Sequence, residues 1–324
     1  YASVVWTYDA LGNKLTEAYF NAAQEPTVCA DGYAERRLTY DSLSRTTQVS
    51  CFDADGSPVL SKQGYAAVCY TYDTQSNVAS EQYLDAEGIP VLTQNGYAGI
   101  GRQYGTGGRL EEIDYYGADG SLILLKAGYA GYQNIYTVSG DQNECVRTYF
   151  DQDKLPTLIR NGYAVVHQVL DFNDNVLEES YFDTDGQTPI AYNGYCKAAY
   201  EYDAYGNTIR ETDYDQGGNP TLNVNGYAAI AREYDAWHNI VSESYYDTSG
   251  EPTACKDGYA GKTSGYDASG NLIQQSYLGA DGQLIMIAKG YALRKLTYDD
   301  SRNNIREDFC DAQGNATTTV YGYA

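Results

Sequence analysis

Basic residues are scarce: 21 Lys and Arg stand against 44 Asp and Glu in 324 residues, for a net charge of −23. Nucleic acid recognition needs a clustered basic surface that displaces counterions, so this balance argues against such a partner. No run of about 18 consecutive apolar residues occurs, so no membrane span is expected and a soluble chain is. Histidine appears only at His167 and His238, and there is no Gly-x-Ser-x-Gly elbow, phosphate loop or His-Glu-x-x-His. With no constellation of unlike residues to perform chemistry, a non-enzymatic role is expected. The opening Tyr1-Ala2-Ser3-Val4 carries neither a start Met nor a basic leader, which reads as a segment of a longer protein.

Glycine and tyrosine, by contrast, are abundant, at 33 and 36 copies. They are also ordered. Gly-Tyr-Ala recurs at Gly32, Gly64, Gly96, Gly128, Gly162, Gly226, Gly258, Gly290 and Gly322, and Gly194-Tyr195-Cys196 fills the gap. The chain therefore reads as one continuous array over 1–324, with units beginning near 1, 32, 64, 96, 128, 162, 194, 226, 258 and 290, and 322–324 opening another. The pairs Gly32/Tyr33, Gly64/Tyr65, Gly96/Tyr97 and Gly226/Tyr227 are expected to be structural parts of the repeat.

Within the first unit, Ala2, Val4, Trp6 and Tyr8 alternate as in a strand. Asp9-Ala10-Leu11-Gly12-Asn13 follows and returns as Asp203-Ala204-Tyr205-Gly206-Asn207. Asp accepts local backbone hydrogen bonds and Gly tolerates positive φ, so this is hairpin chemistry. A second strand spans Lys14 to Phe20, and a second turn of the type Asp53-Ala54-Asp55-Gly56-Ser57-Pro58 closes it. All seven prolines lie just after that turn, where a residue without an N–H can begin a connector but not a central strand. No helix is expected.

The fold expected is all-β, an elongated tandem-repeat solenoid or spiral of antiparallel β-hairpins. An even number of main strands keeps successive units in the same direction, so the proline stretch is assigned as a return connector. Glu17, Glu81, Glu179, Glu211, Glu243 and Glu307 share one phase. Two strands per unit hold such like charges about 10 Å apart, near the screening length, which favours hairpins over a β-helix with one rung per coil. Ten units of this kind would make a rod on the order of 100 Å or more. The one 34-residue spacing, Gly128 to Gly162, predicts a lengthened first hairpin loop between Ile135 and Tyr149.

The Tyr-Asp-x-x-Gly-Asn motif followed by Tyr-Tyr/Phe-Asp-x-x-Gly resembles the YD repeats of the RHS family, whose hairpins coil into extended or shell-like sheets. It is also similar to the aromatic and glycine hairpin repeats of bacterial cell-wall-binding and glucan-binding modules. The 32-residue unit is longer than either pattern and the closing Gly-Tyr-Ala belongs to neither. Trp6 and Trp237 are out of phase and supply no aromatic cage, so choline binding is not carried over.

The recurrent tyrosines read mainly as core and as contacts between units. Tyr70, Tyr132, Tyr192, Tyr200 and Tyr205 fall outside the regular phases and are the candidate ligand-binding rings. Exposed rings stack on sugars, carboxylates orient hydroxyls, and recurrence multiplies a weak contact. Asp53, Asp55, Asp183 and Asp185 resemble fragments of calcium loops, although turn chemistry explains the same residues. Calcium is therefore the one cofactor considered. Seven cysteines without a CxxC pair are expected as free thiols, which keeps a cytoplasmic setting open beside the bacterial surface or extracellular one.

The expected function is thus a scaffold for adhesion or for contact with neutral glycan or cell-wall polymer by avidity, with another protein surface or self-association as further partners. The alternatives are a shell segment of an RHS-like toxin, or a targeting module attached to a cell-wall or polysaccharide enzyme.

Overall fold

The computed structural model describes residues 1–139 and 142–322. Twenty strands arise as ten hairpins. They are β1 Ser3–Tyr8 and β2 Lys14–Phe20, β3 Glu35–Tyr40 and β4 Thr46–Phe52, β5 Ala67–Tyr72 and β6 Val78–Leu84, β7 Gly99–Tyr104 and β8 Leu110–Tyr116, and β9 Gly131–Ser139 and β10 Gln142–Phe150. The second five are β11 Val165–Leu170 and β12 Val176–Phe182, β13 Lys197–Tyr202 and β14 Thr208–Tyr214, β15 Ala229–Tyr234 and β16 Ile240–Tyr246, β17 Gly261–Tyr266 and β18 Leu272–Leu278, and β19 Leu293–Tyr298 and β20 Asn304–Cys310. All belong to one antiparallel sheet, and no helix occurs among the described residues. The chain divides into two compact units. The first comprises Tyr1–Tyr136, Val146–Val165 and Thr184–Gly186; the second comprises Thr137–Cys145, Val166–Asp183 and the residues from Gln187 onward.

The first turn explains why each hairpin closes where it does. In Asp9–Asn13 the Asp9 N–H donates to the Asn13 carbonyl at 2.9 Å and the Gly12 N–H to the Asp9 carbonyl at 3.2 Å. The Asp9 Oδ1 accepts from the N–H groups of Leu11 and Asn13, both at 2.8 Å, and Oδ2 accepts from the Asn13 side chain. One carboxylate thus satisfies the donors that a five-residue reversal leaves open. The fourth residue must adopt positive φ. Gly12 does so at 86°, yet Ser44, Ser76, Asp174, His238 and Arg302 take the same conformation. A non-glycine there loses about 1 to 2 kcal/mol, which the turn's hydrogen bonds offset.

In the first repeat the same turn is built three times. After β2, Asn21–Glu25 reverses the chain, and Pro26 and Thr27 run back along the end of β2, with a Phe20–Pro26 bridge and the Thr27 N–H on the Tyr19 carbonyl at 2.9 Å. Cys29–Tyr33 then makes the third reversal before Ala34 enters β3, and the Tyr19 N–H donates to the Ala34 carbonyl at 2.9 Å. The proline stretch is therefore a return connector, and β2 pairs antiparallel with β3. The third turns of neighbouring repeats are also joined: the N–H of Lys62 reaches the Asp31 carbonyl at 2.8 Å, Arg160 reaches Ala127 at 2.8 Å, and Lys256 reaches Asn225 at 2.7 Å.

In some repeats this close stacking gives the Gly of Gly-Tyr-Ala a second reason to be glycine. At Gly128, φ is 92° and a Cβ would meet the Arg160 backbone nitrogen at 3.0 Å. The following alanine has no more room: Ala34, Ala66, Ala98, Ala130, Ala164, Ala228, Ala260 and Ala292 are all buried. Cores form between sheet and turn strip. Cys29, Tyr33 and Cys51 make one buried cluster against Tyr19 and Val59, and Tyr277, Ile287, Tyr291 and Phe309 make another.

The expected long loop in the 34-residue repeat is corrected by the strands. β9 and β10 have 9 residues each, against 6 and 7 in the standard hairpin β1–β2. The added residues, and part of what is turn elsewhere, are drawn into strand pairing; residues 140–141 at the tip lie outside the described residues. Thr137 stands where Asp9 opens the turn of the first hairpin, and β9 continues through it.

Candidate functional site

Residues 19 and 20 are adjacent in a strand and so point to opposite faces. The consequence is two different aromatic rows. On one face the Gly-Tyr-Ala tyrosines alternate with the rings near the ends of the second strands. In the first unit, centroids run Tyr65–Tyr83 4.9 Å, Tyr83–Tyr97 5.9 Å, Tyr97–Tyr115 5.1 Å and Tyr115–Tyr129 6.1 Å. In the second, Tyr227–Tyr245 is 4.8 Å, Tyr245–Tyr259 5.8 Å and Tyr259–Tyr277 4.8 Å. Such tilted pairs each add about 0.5–1.5 kcal/mol beyond burial. On the opposite face cations cap the last residues of the second strands, with Arg37 3.8 Å from the Phe52 centroid and Lys197 4.9 Å from that of Tyr214.

The polar tips are also engaged by their neighbours. The hydroxyls of Tyr19, Tyr83 and Tyr181 donate to Glu17, Glu81 and Glu179 on the same strands. Tyr40, Tyr72, Tyr202 and Tyr234 donate to the carbonyls of Lys14, Thr46, Val176 and Thr208, each 26 residues back in the preceding repeat. In the long hairpin the buried Asn134 makes the corresponding bond, to the Leu110 carbonyl at 2.8 Å.

Several glutamates of the row are neutralised as well as spaced. Arg36 lies opposite Glu17 in register and approaches it to 3.3 Å, Arg102 reaches Glu81 at 2.7 Å, and Lys262 pairs with Glu243. Burial by itself would raise the Glu17 carboxyl, but hydrogen bonds from Lys14 and Tyr19 and the charge of Arg36 hold it down to about 2.

The candidate rings occupy different settings. Tyr70 lies in β5 opposite Glu81, half-buried, with its hydroxyl pushed up to about 12 by burial and then by Glu81. Tyr200 is opposite Glu211 in β13 and is raised for the same reasons. Tyr132 belongs to the ring row, 5.8 Å from Tyr149 with Arg147 over its face at 4.6 Å, and Tyr192 sits 5.1 Å from Tyr181. Only Tyr205 stands out in solvent, 81% exposed in a first turn. An irregular phase therefore does not mean exposure, because the face between sheet and turns accepts rings at several register positions.

Tyr205 has company that the repeat phase did not reveal. Phe172 and Trp237 are 74% and 73% exposed in the first turns of the flanking repeats. A cavity of about 480 Å³ opens between adjacent first turns, lined by Asp171, Asn173, Asn175, Asp203 and Tyr205, and the His238 ring meets Tyr205 edge-on at 5.6 Å. The available signal was an aromatic placed inside an Asp-to-Asn turn.

The acidic turns use their carboxylates locally. Asp53 Oδ1 accepts from the Asp55 N–H at 3.0 Å and the Ser57 N–H at 3.3 Å, and Asp55 Oδ1 accepts from the Ser57 N–H at 2.8 Å. Asp183 and Asp185 lie in the corresponding turn, where the Asp183 N–H reaches the Thr188 carbonyl across one additional residue. Among the described residues no group of three or more His, Cys, Asp or Glu could hold a metal ion. None of the seven cysteines is in a disulfide, and five of them are buried. No helix of the described residues is long and apolar enough to cross a membrane.

No protein-family model matches the chain, and no curated protein matches it. Solved structures do. The chain is similar to the crystal structure of TcdB2-TccC3-TEV at 14% identity and a TM-score of 0.33, covering 98% of this chain and 16% of that one. The corresponding figures for TcdB2-TccC3-Cdc42 are 14%, 0.31, 98% and 22%. For the Photorhabdus luminescens Tc holotoxin pore with a substituted TccC3 they are 14%, 0.30, 98% and 19%. These are distant structural matches. The chain spans about a fifth of the length of the structures it matches.

Proposed function

We propose that this chain is a non-enzymatic wall segment, a strip of hairpin repeats of the kind that builds an RHS-like toxin shell. One observation carries the reading: recurrent tyrosines and several arginines engage the adjoining repeats. Tyrosine rings pack on the next ring, tyrosine hydroxyls bond the preceding repeat's carbonyls, and arginines neutralise the preceding repeat's glutamates. A sequence organised in this way makes continuous sheet. Among the described residues the exposed first-turn aromatics, Phe172, Tyr205 and Trp237, are confined to three repeats, fewer than a ladder of identical glycan sites along the array would require. In this reading the wall belongs to a secreted or surface protein of a bacterium and its partner is the polypeptide it encloses.

Electron cryo-microscopy of the full-length product, with limited proteolysis, tests it. A hollow shell whose contents resist protease until the wall is opened is the expected result; an open rod with nothing enclosed refutes it. A second reading, contact with neutral glycan, is favoured by one local feature, the exposed Phe172, Tyr205 and Trp237 beside Asp171 and Asn173. It predicts binding on a glycan array that replacing these three rings with Ala abolishes without unfolding.

A further inference from the structure

We propose that the strip of third turns in the first unit docks an acidic polypeptide segment in the polyproline II conformation, with an aliphatic side chain at every third residue. The turns are 29–33, 61–65, 93–97, 125–129 and 159–163, each closed by the N–H of its first residue on the carbonyl of its tyrosine. The residue just before each turn is aliphatic: Val28, Leu60, Leu92, Leu124 and Leu158. In the extended connector the next residue turns inward, and Cys29, Ser61, Thr93 and Ile159 are buried. The aliphatic side chains accordingly face out, all between 45% and 50% exposed. Scattered exposed aliphatics are ordinary on a protein surface, but an unbroken row in one phase is not. In the second unit Ala254 and Thr318 interrupt the row.

The same turns run against the charge of the chain. Acids outnumber bases 44 to 21 overall, yet these five turns hold Lys62, Lys126 and Arg160 against one acid, Asp31. All three bases are exposed. Among the described residues none of the three is in an ion pair, whereas Arg36, Arg102 and Lys154 of the same unit are each on a carboxylate. A cation thus stands two residues beyond an aliphatic at Leu60, Leu124 and Leu158. The complement of such a surface carries apolar and anionic groups together.

Spacing selects the form of that partner. Backbone bonds from Lys62 to Asp31, Gln94 to Gln63 and Arg160 to Ala127, at 2.8, 2.9 and 2.8 Å, fix one turn against the next. With two sheet strands in each repeat, the row advances by about 10 Å per rung. A β-strand returns a side chain to one face every ~7 Å and an α-helix makes a turn every ~5.4 Å, so neither stays in step over five rungs. Polyproline II repeats every three residues, or about 9 Å, and its backbone needs no neighbouring strand. A lipid surface offers anionic and apolar groups too, but it has no period and gains nothing from even spacing. The inference is independent of whether the sheet is a wall.

The test uses the whole chain at physiological salt, where acids elsewhere on the surface are screened within about 8 Å. Fluorescence anisotropy follows labelled peptides of five repeats of Leu-Pro-Glu, Ser-Pro-Glu or Leu-Pro-Gln, in which proline holds the conformation. Saturable binding of Leu-Pro-Glu is expected, with the other two about tenfold weaker for want of the apolar or the anionic group. The combined variants Leu60→Ser/Leu92→Ser/Leu124→Ser and Lys62→Gln/Lys126→Gln/Arg160→Gln should each weaken it by a similar factor. These side chains are exposed, so both variants should keep the circular dichroism of the natural chain. Absence of Leu-Pro-Glu binding, equal affinity for the three peptides, or undiminished binding by either folded variant would overturn the proposal. Sedimentation with anionic vesicles is run in parallel, and binding to vesicles without binding to the peptide would overturn it in favour of lipid.

Discussion

Replacing Asp213 with Asn should stabilise the second unit at neutral pH and leave it nearly unchanged in acid. Asp213 lies in β14 at the place where Tyr181, Tyr245 and Tyr277 put rings into the row, and it is fully buried. Its Oδ2 accepts from the Asn223 side chain at 2.8 Å, while Oδ1 has no partner. Burial raises the carboxyl from 3.8 to about 7; the Asn223 hydrogen bond opposes this and the Glu211 charge adds to it. Tyr195 and Tyr227 respond to the same carboxylate, which helps hold the Tyr195 hydroxyl up.

The sign follows from which state binds the proton. Below pH 4 the carboxyl is neutral whether folded or unfolded and costs nothing by titration. Between about 4 and 7 only the unfolded chain ionises, so stability falls by about 1.4 kcal/mol per pH unit; above 7 the loss levels off at about 4 kcal/mol. Asn223 can turn its amide round to serve an Asn at 213, so the hydrogen bond is kept. The stability of Asp213→Asn minus that of the natural chain should therefore grow by about 3 kcal/mol from pH 5 to pH 8. Urea unfolding reads this difference, and exchange of the amides of Asp213 and Ala228 localises it. Parallel pH curves for the two proteins would refute the argument, whatever their offset.

Gly128→Ala should destabilise by about 2 to 3 kcal/mol, because positive φ and a backbone contact at 3.0 Å act together, whereas Gly12→Ala, with open space around it, should lose about 1 kcal/mol; thermal unfolding of the two variants makes the comparison. Glu17→Gln should lose about 2 to 3 kcal/mol at pH 7, a gap that closes as pH falls from about 4.5 toward 2 and the natural carboxylate protonates; a gap that persists at pH 2 would point to packing instead of charge. Tyr234→Phe should lose about 1 kcal/mol by removing the bond to the Thr208 carbonyl, with amide exchange quickening around β14 and β15 while distant repeats are unaffected.

Hairpins, turns and strand ends were legible because their causes are local. An Asp four residues before an Asn, with a residue of positive φ between, closes a turn wherever it occurs, and the second strand read as Lys14 to Phe20 is the one formed. The longer hairpin at β9–β10 was misread because a count of residues between landmarks does not say whether an addition enters strand or loop. Exposure was misread at Tyr70 and Tyr200 because departure from phase says that a residue is unusual, not which way it faces. Phe172 went unnoticed, and Trp237 was read only as out of phase with Trp6, although it stands one repeat after Tyr205 at the same place in the first turn.

By itself the sequence determined the period, the all-β class, the antiparallel hairpin and the role of proline as a connector, since backbone sterics and hydrogen-bond satisfaction act within a few residues. The tertiary structure decided what those residues do to one another across repeats. It set the third turns against one another, which leaves no room for a Cβ at Gly128, and it placed residues 19 and 20 on opposite faces of the sheet. It also turned one isolated substitution, Asp213, into a buried carboxyl. A strand specifies the direction of a side chain, but the neighbour it meets lies about 32 residues away, and only the folded chain brings the two together.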